Sequence, residues 1–167
     1  MRIHIATDHA GLDLSRDLQD HLRDAGHEVV DHGPTSYDPL DDYPSFCIAA
    51  ARAVVADQSA GFEALGVVFG GSGNGEQMAA NKVAGARAAL VWNLDTARLG
   101  REHNDANLIA IGARQHTVEE AKSFIDAFVA QPFTHEARHV RRIAQLAEYE
   151  ATGAIASVGF TAPQAAD

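Results

Sequence analysis

Seven residues concentrate the chemistry of this chain: Gly70-Gly71-Ser72-Gly73-Asn74-Gly75-Glu76. The glycines permit backbone dihedrals that side chains forbid. Before them, Leu65 to Phe69 is a short apolar run with the length and β-branched content of a buried parallel strand. After them, an Ala-rich segment through Lys82 reads as a helix. A strand, a glycine loop and a helix N-terminus together turn backbone N–H groups inward and make a nest for an anion. Glu76 stands at its rim. A carboxylate there can remove a proton while the amides hold the oxyanion that results. The same residue can instead cap the helix dipole in an ordinary strand-to-helix turn. Both readings stand on the loop alone.

Two familiar nucleotide loops do not fit. Gly70 and Gly75 have P-loop spacing, but the lysine position holds Glu76 and the Ser/Thr position Gln77. A carboxylate would repel a nucleotide γ-phosphate, so ATP and GTP are excluded. The dinucleotide fingerprint needs glycines at relative positions one, three and six. Neither Gly70 nor Gly71 opens such a frame.

Other polar groups sit where α/β enzymes place them. Asp8 and His9 follow the first strand; they read as site groups or as a helix N-cap beside a surface histidine. His103-Asn104-Asp105 precedes the last strand, where a loop histidine serves as acid or base near neutral pH or is simply solvated. Arg114 follows that strand. Near the C-terminus, His135, Arg138, His139 and Arg142 recur at three- and four-residue spacings and are predicted to share a helical face. On an acidic chain such a stripe suits a bound phosphate, or it balances local acids. Metal binding is not indicated. The nine histidines are scattered without a His-Glu-x-x-His or Cys/His cluster, and arginines flank the His135/His139 pair. Ser72 lacks the frame of a nucleophile elbow.

The elements that must position these groups follow from periodicity. Strands are predicted over Arg2–Ala6, His27–Asp31, Leu65–Phe69, Ala86–Trp92 and Leu108–Ile111. Helices are predicted over Leu12–Ala25, from Pro44 to Ala56, over Asn93–Glu102, from the Thr117/Glu120 capping box to Ala130, and over His135–Ala151. Residues 32–43, with two prolines and three aspartates, form a long exposed loop of the kind that carries function. This alternation predicts an α/β chain, a five-stranded parallel Rossmann-like sheet in a three-layer α/β/α sandwich, with its site beyond the carboxyl ends of the strands. Asp8-His9, the glycine loop and Arg114 all fall at that edge. Residues 1–151 are expected to form one domain and 152–167 a loose tail.

The 167 residues suffice for one core, and a formal charge of −10 argues against general nucleic-acid binding. No apolar run approaches a membrane span, and the first strand opens at the N-terminus without a signal peptide, so a cytoplasmic protein is expected. The single Cys47 suits a reducing compartment and reads as a core thiol.

In combination, Thr7-Asp8-His9-Ala10-Gly11, the Gly70–Glu76 loop, His103-Asn104-Asp105-Ala106-Asn107 and the Arg138/Arg142 helix resemble the type B ribose-5-phosphate isomerases of the ribose/galactose isomerase family, over about residues 2–150. Many of that group carry a catalytic cysteine where this chain has Gly70; another branch, including actinobacterial enzymes, uses a glutamate where Glu76 stands. The resemblance implies an aldose–ketose isomerase acting on ribose 5-phosphate, with no metal or organic cofactor. It implies Glu76 as the base, Gly71, Gly73, Asn74 and Gly75 as oxyanion donors, and Ser72 near the sugar C1 and C2 oxygens. His103 with Asp8 would open the furanose ring. His9, Arg114, Arg138 and Arg142 would bind the phosphate, and Asn104 a sugar hydroxyl. A homodimer or dimer of dimers is implied, with the last helix packing on a partner subunit and the site shared between them. Six-carbon sugar phosphates such as allose or galactose 6-phosphate, and a non-catalytic phosphosugar-binding module, are the competing expectations.

Overall fold

The computed structural model describes residues 1–156. The expected tail beyond 156 lies outside the described residues. The strands are β1 (Arg2–Thr7), β2 (Glu28–Asp31), β3 (Ala64–Gly70), β4 (Ala88–Val91) and β5 (Leu108–Gly112). All pair in parallel, in the order β2-β1-β3-β5-β4. The expected five-stranded parallel α/β sheet is therefore present. The chain leaves β1 toward β2 on one side and later returns to place β3 on the other, so the order reverses between β1 and β3. Ligand crevices in open α/β sheets form at such a reversal, beyond the carboxyl ends.

Successive strand residues point to opposite faces, and the core divides accordingly. Ile3, Ile5, Val67, Phe69, Ile109 and Ile111 pack under α1 (Leu12–Asp24), α4 (Leu94–Asn104) and α5 (Val118–Ala130) through Leu14, Leu18, Ala97, Ile125 and Phe128. Ala6, Val68, Leu108 and Ala110 pack under α2 (Tyr43–Ser59) and α3 (Asn74–Ala80) through Cys47, Ala50, Val54 and Ala79. The second face is lined by small residues, which lets α2 and α3 lie close to the sheet beneath the glycine loop. Each fully buried Ile, Leu or Phe contributes about 1.5–3 kcal/mol of burial.

Several boundaries depart from the periodicity. The pattern predicts β4 over seven residues, but only Ala88–Val91 ladder. The Arg87 N–H is taken by Asn107 Oδ1 at 2.7 Å and the Trp92 N–H by Thr96 Oγ1 at 3.2 Å, so side chains close both ends. Helix α4 runs on through His103 and Asn104, which therefore are not loop residues. The helix after the glycine loop stops at Ala80.

The backbone forms two compact units, Met1–Phe133 and a second from Thr134 onward. In the second unit, α6 (Ala137–Thr152) starts after His135, whose φ of 55° is left-handed. His135 thus lies outside the predicted helical stripe, and His139 is buried while Arg138 and Arg142 are exposed. No described helix is long and apolar enough to cross a membrane.

Candidate active site

The glycine loop connects β3 to α3, and its geometry explains its composition. Gly73 has φ +79°, and a Cβ there would come within 2.9 Å of the Leu90 side chain and 3.1 Å of the Gly112 nitrogen. On Gly75 a Cβ would meet the Tyr43 ring at 2.5–3.0 Å. Gly70 is the most telling. A Cβ on it would collide with the Glu76 carboxylate, because that side chain folds back under the loop into the space beside residue 70.

Glu76 lies in the first turn of α3 and is only 5% exposed. Burial pushes its pKa above the ordinary carboxylate value, and the negative charge of nearby Asp8 pushes the same way. Its own amide and that of Gly73 oppose the shift by donating to the carboxylate. A glutamate held this way is a stronger base than one in water. Cys47, on α2, feels the same charges. Burial first, then Glu76 and Asp8, push its thiol up to about 12, so it stays protonated and serves as core.

Asp8 ends β1. It is 7% exposed and caps the 3-10 turn His9–Gly11 by accepting the Ala10 N–H at 2.9 Å. The turn is tight because a Cβ on Gly11 would strike Thr7 and Phe69. His9, half-buried beside Asp8, shares a hydrogen bond with Asp41. Ser72 and Asn74 are exposed on the loop, where the Ser72 hydroxyl accepts from the Asn74 side chain at 3.2 Å. The turn after β5 is bound to the same loop: Ala113 and Arg114 donate their N–H groups to the carbonyls of Gly70 and Gly71 at 2.8 and 3.2 Å. The Arg114 guanidinium lies across the loop, 3.3 Å from where a Gly71 Cβ would stand. One edge of the sheet therefore gathers Asp8, His9, Ser72, Asn74, Glu76, Arg114 and the nest amides.

His103 and Asn104 are placed elsewhere. They end α4, which returns from the carboxyl to the amino edge of the sheet before β5 begins. Arg87, just ahead of β4, donates to the carbonyls of Asn104 and Asp105 at 3.1 and 3.0 Å, which fixes them at the amino edge. The length of β5, about 15 Å at 3.3 Å per residue, separates them from Glu76 and Asp8 of the same protomer. Arg138 and Arg142 sit four residues apart on α6, exposed, with Arg138 Nε paired to Glu136 at 2.9 Å. The composition of loop 32–43 marks it as functional but does not single out Asp41, which meets His9, or Tyr43, which backs Gly75. The three aspartates of that loop were the available signal.

The carbon-acid chemistry this edge suggests agrees with the proteins the chain is similar to. The family model described as Ribose/Galactose Isomerase matches residues 3–146. The chain is 56% identical over 152 residues to "Ribose-5-phosphate isomerase B" of Mycobacterium tuberculosis, covering 91% of each. To the Escherichia coli protein of that name it is 34% identical, covering 89% of this chain and 96% of the relative. Among solved structures, ribose-5-phosphate isomerase B from Mycoplasma genitalium with bound ribulose-5-phosphate superposes with a TM-score of 0.84 at 39% identity, over 90% of this chain and 96% of that one. The Clostridium thermocellum protein superposes at 0.83 and 37% identity, over 92% and 100%.

Proposed function

The chain belongs to the ribose/galactose isomerase family, and from that premise we propose that it interconverts ribose 5-phosphate and ribulose 5-phosphate, with Glu76 as the base. One observation carries the assignment of the base: a carboxylate buried under a nest of backbone amides, with its basicity raised by that burial. In the forward direction Glu76 takes the proton from C2 of the open-chain aldose. The electron pair moves onto the carbonyl oxygen at C1, and the amides of Gly71, Asn74 and Gly75 stabilise the enediolate, while the Gly73 amide holds the Glu76 carboxylate. The O2 proton passes to O1, Glu76 returns its proton to C1, and a ketone remains at C2. Each positioned donor is worth roughly 3 kcal/mol, by analogy with a measured oxyanion hole. Ser72 orients the C1 and C2 oxygens. The chemistry requires neither metal nor organic cofactor.

His103 is proposed to open the furanose ring and Asn104 to bind a sugar hydroxyl. Their position at the amino edge supports a site completed by a second copy, in a homodimer or dimer of dimers, where Asp8 of one protomer works with His103 of the other. Arg114 and His9 bind the phosphate from the glycine-loop side. Arg138 and Arg142 face one side of α6, so a single phosphate can engage both; we assign them to the same anion, with α6 reaching a partner subunit. The lone buried Cys47 and the metabolic family favour a cytoplasmic enzyme.

A coupled assay comparing ribose 5-phosphate with allose and galactose 6-phosphates tests the reading, together with deuterium exchange at C2. Turnover and exchange confined to the pentose phosphate support it. Turnover only on a six-carbon phosphate transfers the mechanism to that substrate, and binding without exchange makes the chain a non-catalytic module.

A further inference from the structure

The long loop 32–42 meets the candidate site at His9, through one carboxylate and one aromatic ring. Asp41 Oδ1 accepts both the His9 backbone N–H, at 3.0 Å, and the His9 ring at Nδ1, at 2.6 Å. The Asp41 side chain is 10% exposed and the imidazole 23%. Tyr37 of the same loop sets its ring edge-on to His9, with centroids 6.0 Å apart and planes at 89°. Asp41 Oδ2 is buried and has no hydrogen-bond partner among the described residues, so the carboxylate is committed to His9.

A neutral imidazole carries one proton, and the group bonded to one ring nitrogen decides which nitrogen holds it. With a carboxylate on Nδ1, the neutral ring keeps its proton there, and the second proton of the imidazolium goes to Nε2, the nitrogen left to donate to an anion. The bond also fixes the plane of the ring, as the buried aspartate of a Ser-His-Asp triad does for its histidine. A loop that needed only an anchor would be held by the backbone N–H contact alone. The ring contact is the shorter of the two and settles the orientation of a side chain at the mouth of the reversal point between β1 and β3.

We propose that Asp41 is a positioning residue for substrate binding: it holds the Nδ1–H of His9, fixes the ring plane and turns Nε2 to the phosphorylated end of the sugar, where the imidazolium donates its second N–H to the phosphate. This rests on the phosphosugar reading above. Asp41 touches no reacting atom, so its removal weakens binding and spares the chemical step.

The test uses the full-length protein, Asp41→Ala and Asp41→Asn. Long-range nitrogen–proton NMR of the His9 ring, recorded at alkaline pH where the ring is neutral, reads the tautomer directly. Steady-state kinetics with ribose 5-phosphate, and calorimetric titration with inorganic phosphate, read the consequence. Wild type should hold His9 with Nδ1 protonated. Asp41→Ala should lose that tautomer, raise KM and the phosphate Kd roughly tenfold, the effect of one lost orienting bond, and leave kcat within about threefold. Asp41→Asn keeps an oxygen acceptor and should restore the tautomer and most of the affinity. A neutral wild-type His9 with its single proton on Nε2, an Ala variant with unchanged KM, an Asn variant that restores neither property, or a loss confined to kcat would each overturn the proposal. Should wild type fail to turn over ribose 5-phosphate, the functional reading falls, while the tautomer and the phosphate titration still decide the role of Asp41.

Discussion

The Glu76 carboxylate fills the volume that a side chain on Gly70 would occupy. A base carried on the first residue of the loop and one carried on the last therefore converge on one point in space, and the two are mutually exclusive. The absence of a side chain at Gly70 is what allows Glu76 to lie there. Gly70→Ala should fold but drive the carboxylate out of register. A displacement of an ångström at a reacting group costs about 100-fold, so kcat should fall by that order while the phosphate Kd stays near wild type. Undiminished kcat would show that Glu76 works from another position.

Glu76→Gln should be more stable than wild type and nearly inactive. The folded-state pKa of Glu76 lies above its ordinary value of 4.5. Its protonated form is thus favoured by folding, and that contribution is present in full below pH 4.5 and lost as pH rises through the folded value. At pH 7 the ionised carboxylate costs stability, which glutamine relieves. Calorimetry should show a higher Tm, by about 2–4 °C for each kcal/mol relieved. Loss of a proton-transferring group should lower kcat by about 10²–10⁴-fold. In wild type, the acid limb of kcat/KM should fall above pH 4.5 for the same reason.

A second pH effect lies away from the site. His4 on β1 is buried and bridges His32 at 2.9 Å to Asp57 at 3.0 Å. Burial, and then the neighbouring His4, hold His32 below its ordinary pKa of 6.5, with Asp31 opposing in part. A histidine depressed in the folded state stabilises the protein fully above pH 6.5, and that stability is lost as pH falls through the folded value. Wild-type unfolding free energy should decline from pH 7 to 5 more steeply than that of His32→Asn, by up to about 1.4 kcal/mol per pH unit for one proton, as read by denaturant titration at each pH. Parallel curves would remove His32 from the acid response.

Complementation tests the shared site. Glu76→Gln and His103→Ala should each be inactive as homo-oligomers. If Glu76 of one subunit meets His103 of another, unfolding and refolding them as an equimolar mixture should regain about a quarter of wild-type activity, since random pairing leaves one intact site in each mixed dimer. No regain at all would require both groups to act within a single chain.

What could be read in advance depended on where the deciding forces lay. The glycines around Ser72 and Asn74 announce a backbone requirement whatever the rest of the chain does, so the loop and Glu76 were legible. Strand order was not, because nothing local distinguishes β5 beside β3 from β4 beside β3. His103 looked like a loop residue because no glycine stops its helix. Instead Asp105 takes the left-handed φ of 43°, held by Arg87 at 3.0 Å and Arg101 at 2.7 Å, and lets α4 continue through Asn104. His135 appeared helical by spacing, yet its φ of 55° leaves it outside α6. Asp41 could not be chosen among the aspartates of its loop, since its contact with His9 spans 32 residues.

The backbone bonds from Ala113 and Arg114 to Gly70 and Gly71 join the arginine proposed to grip the handle of the sugar to the amides proposed to face its reactive end. Tension on the arginine is then felt by the oxyanion donors, so anchoring one end of the molecule tunes the other. An unphosphorylated ribose would forfeit speed as well as grip: supplied at saturation, it would still turn over slowly, and adding free phosphite beside it would recover part of the lost rate.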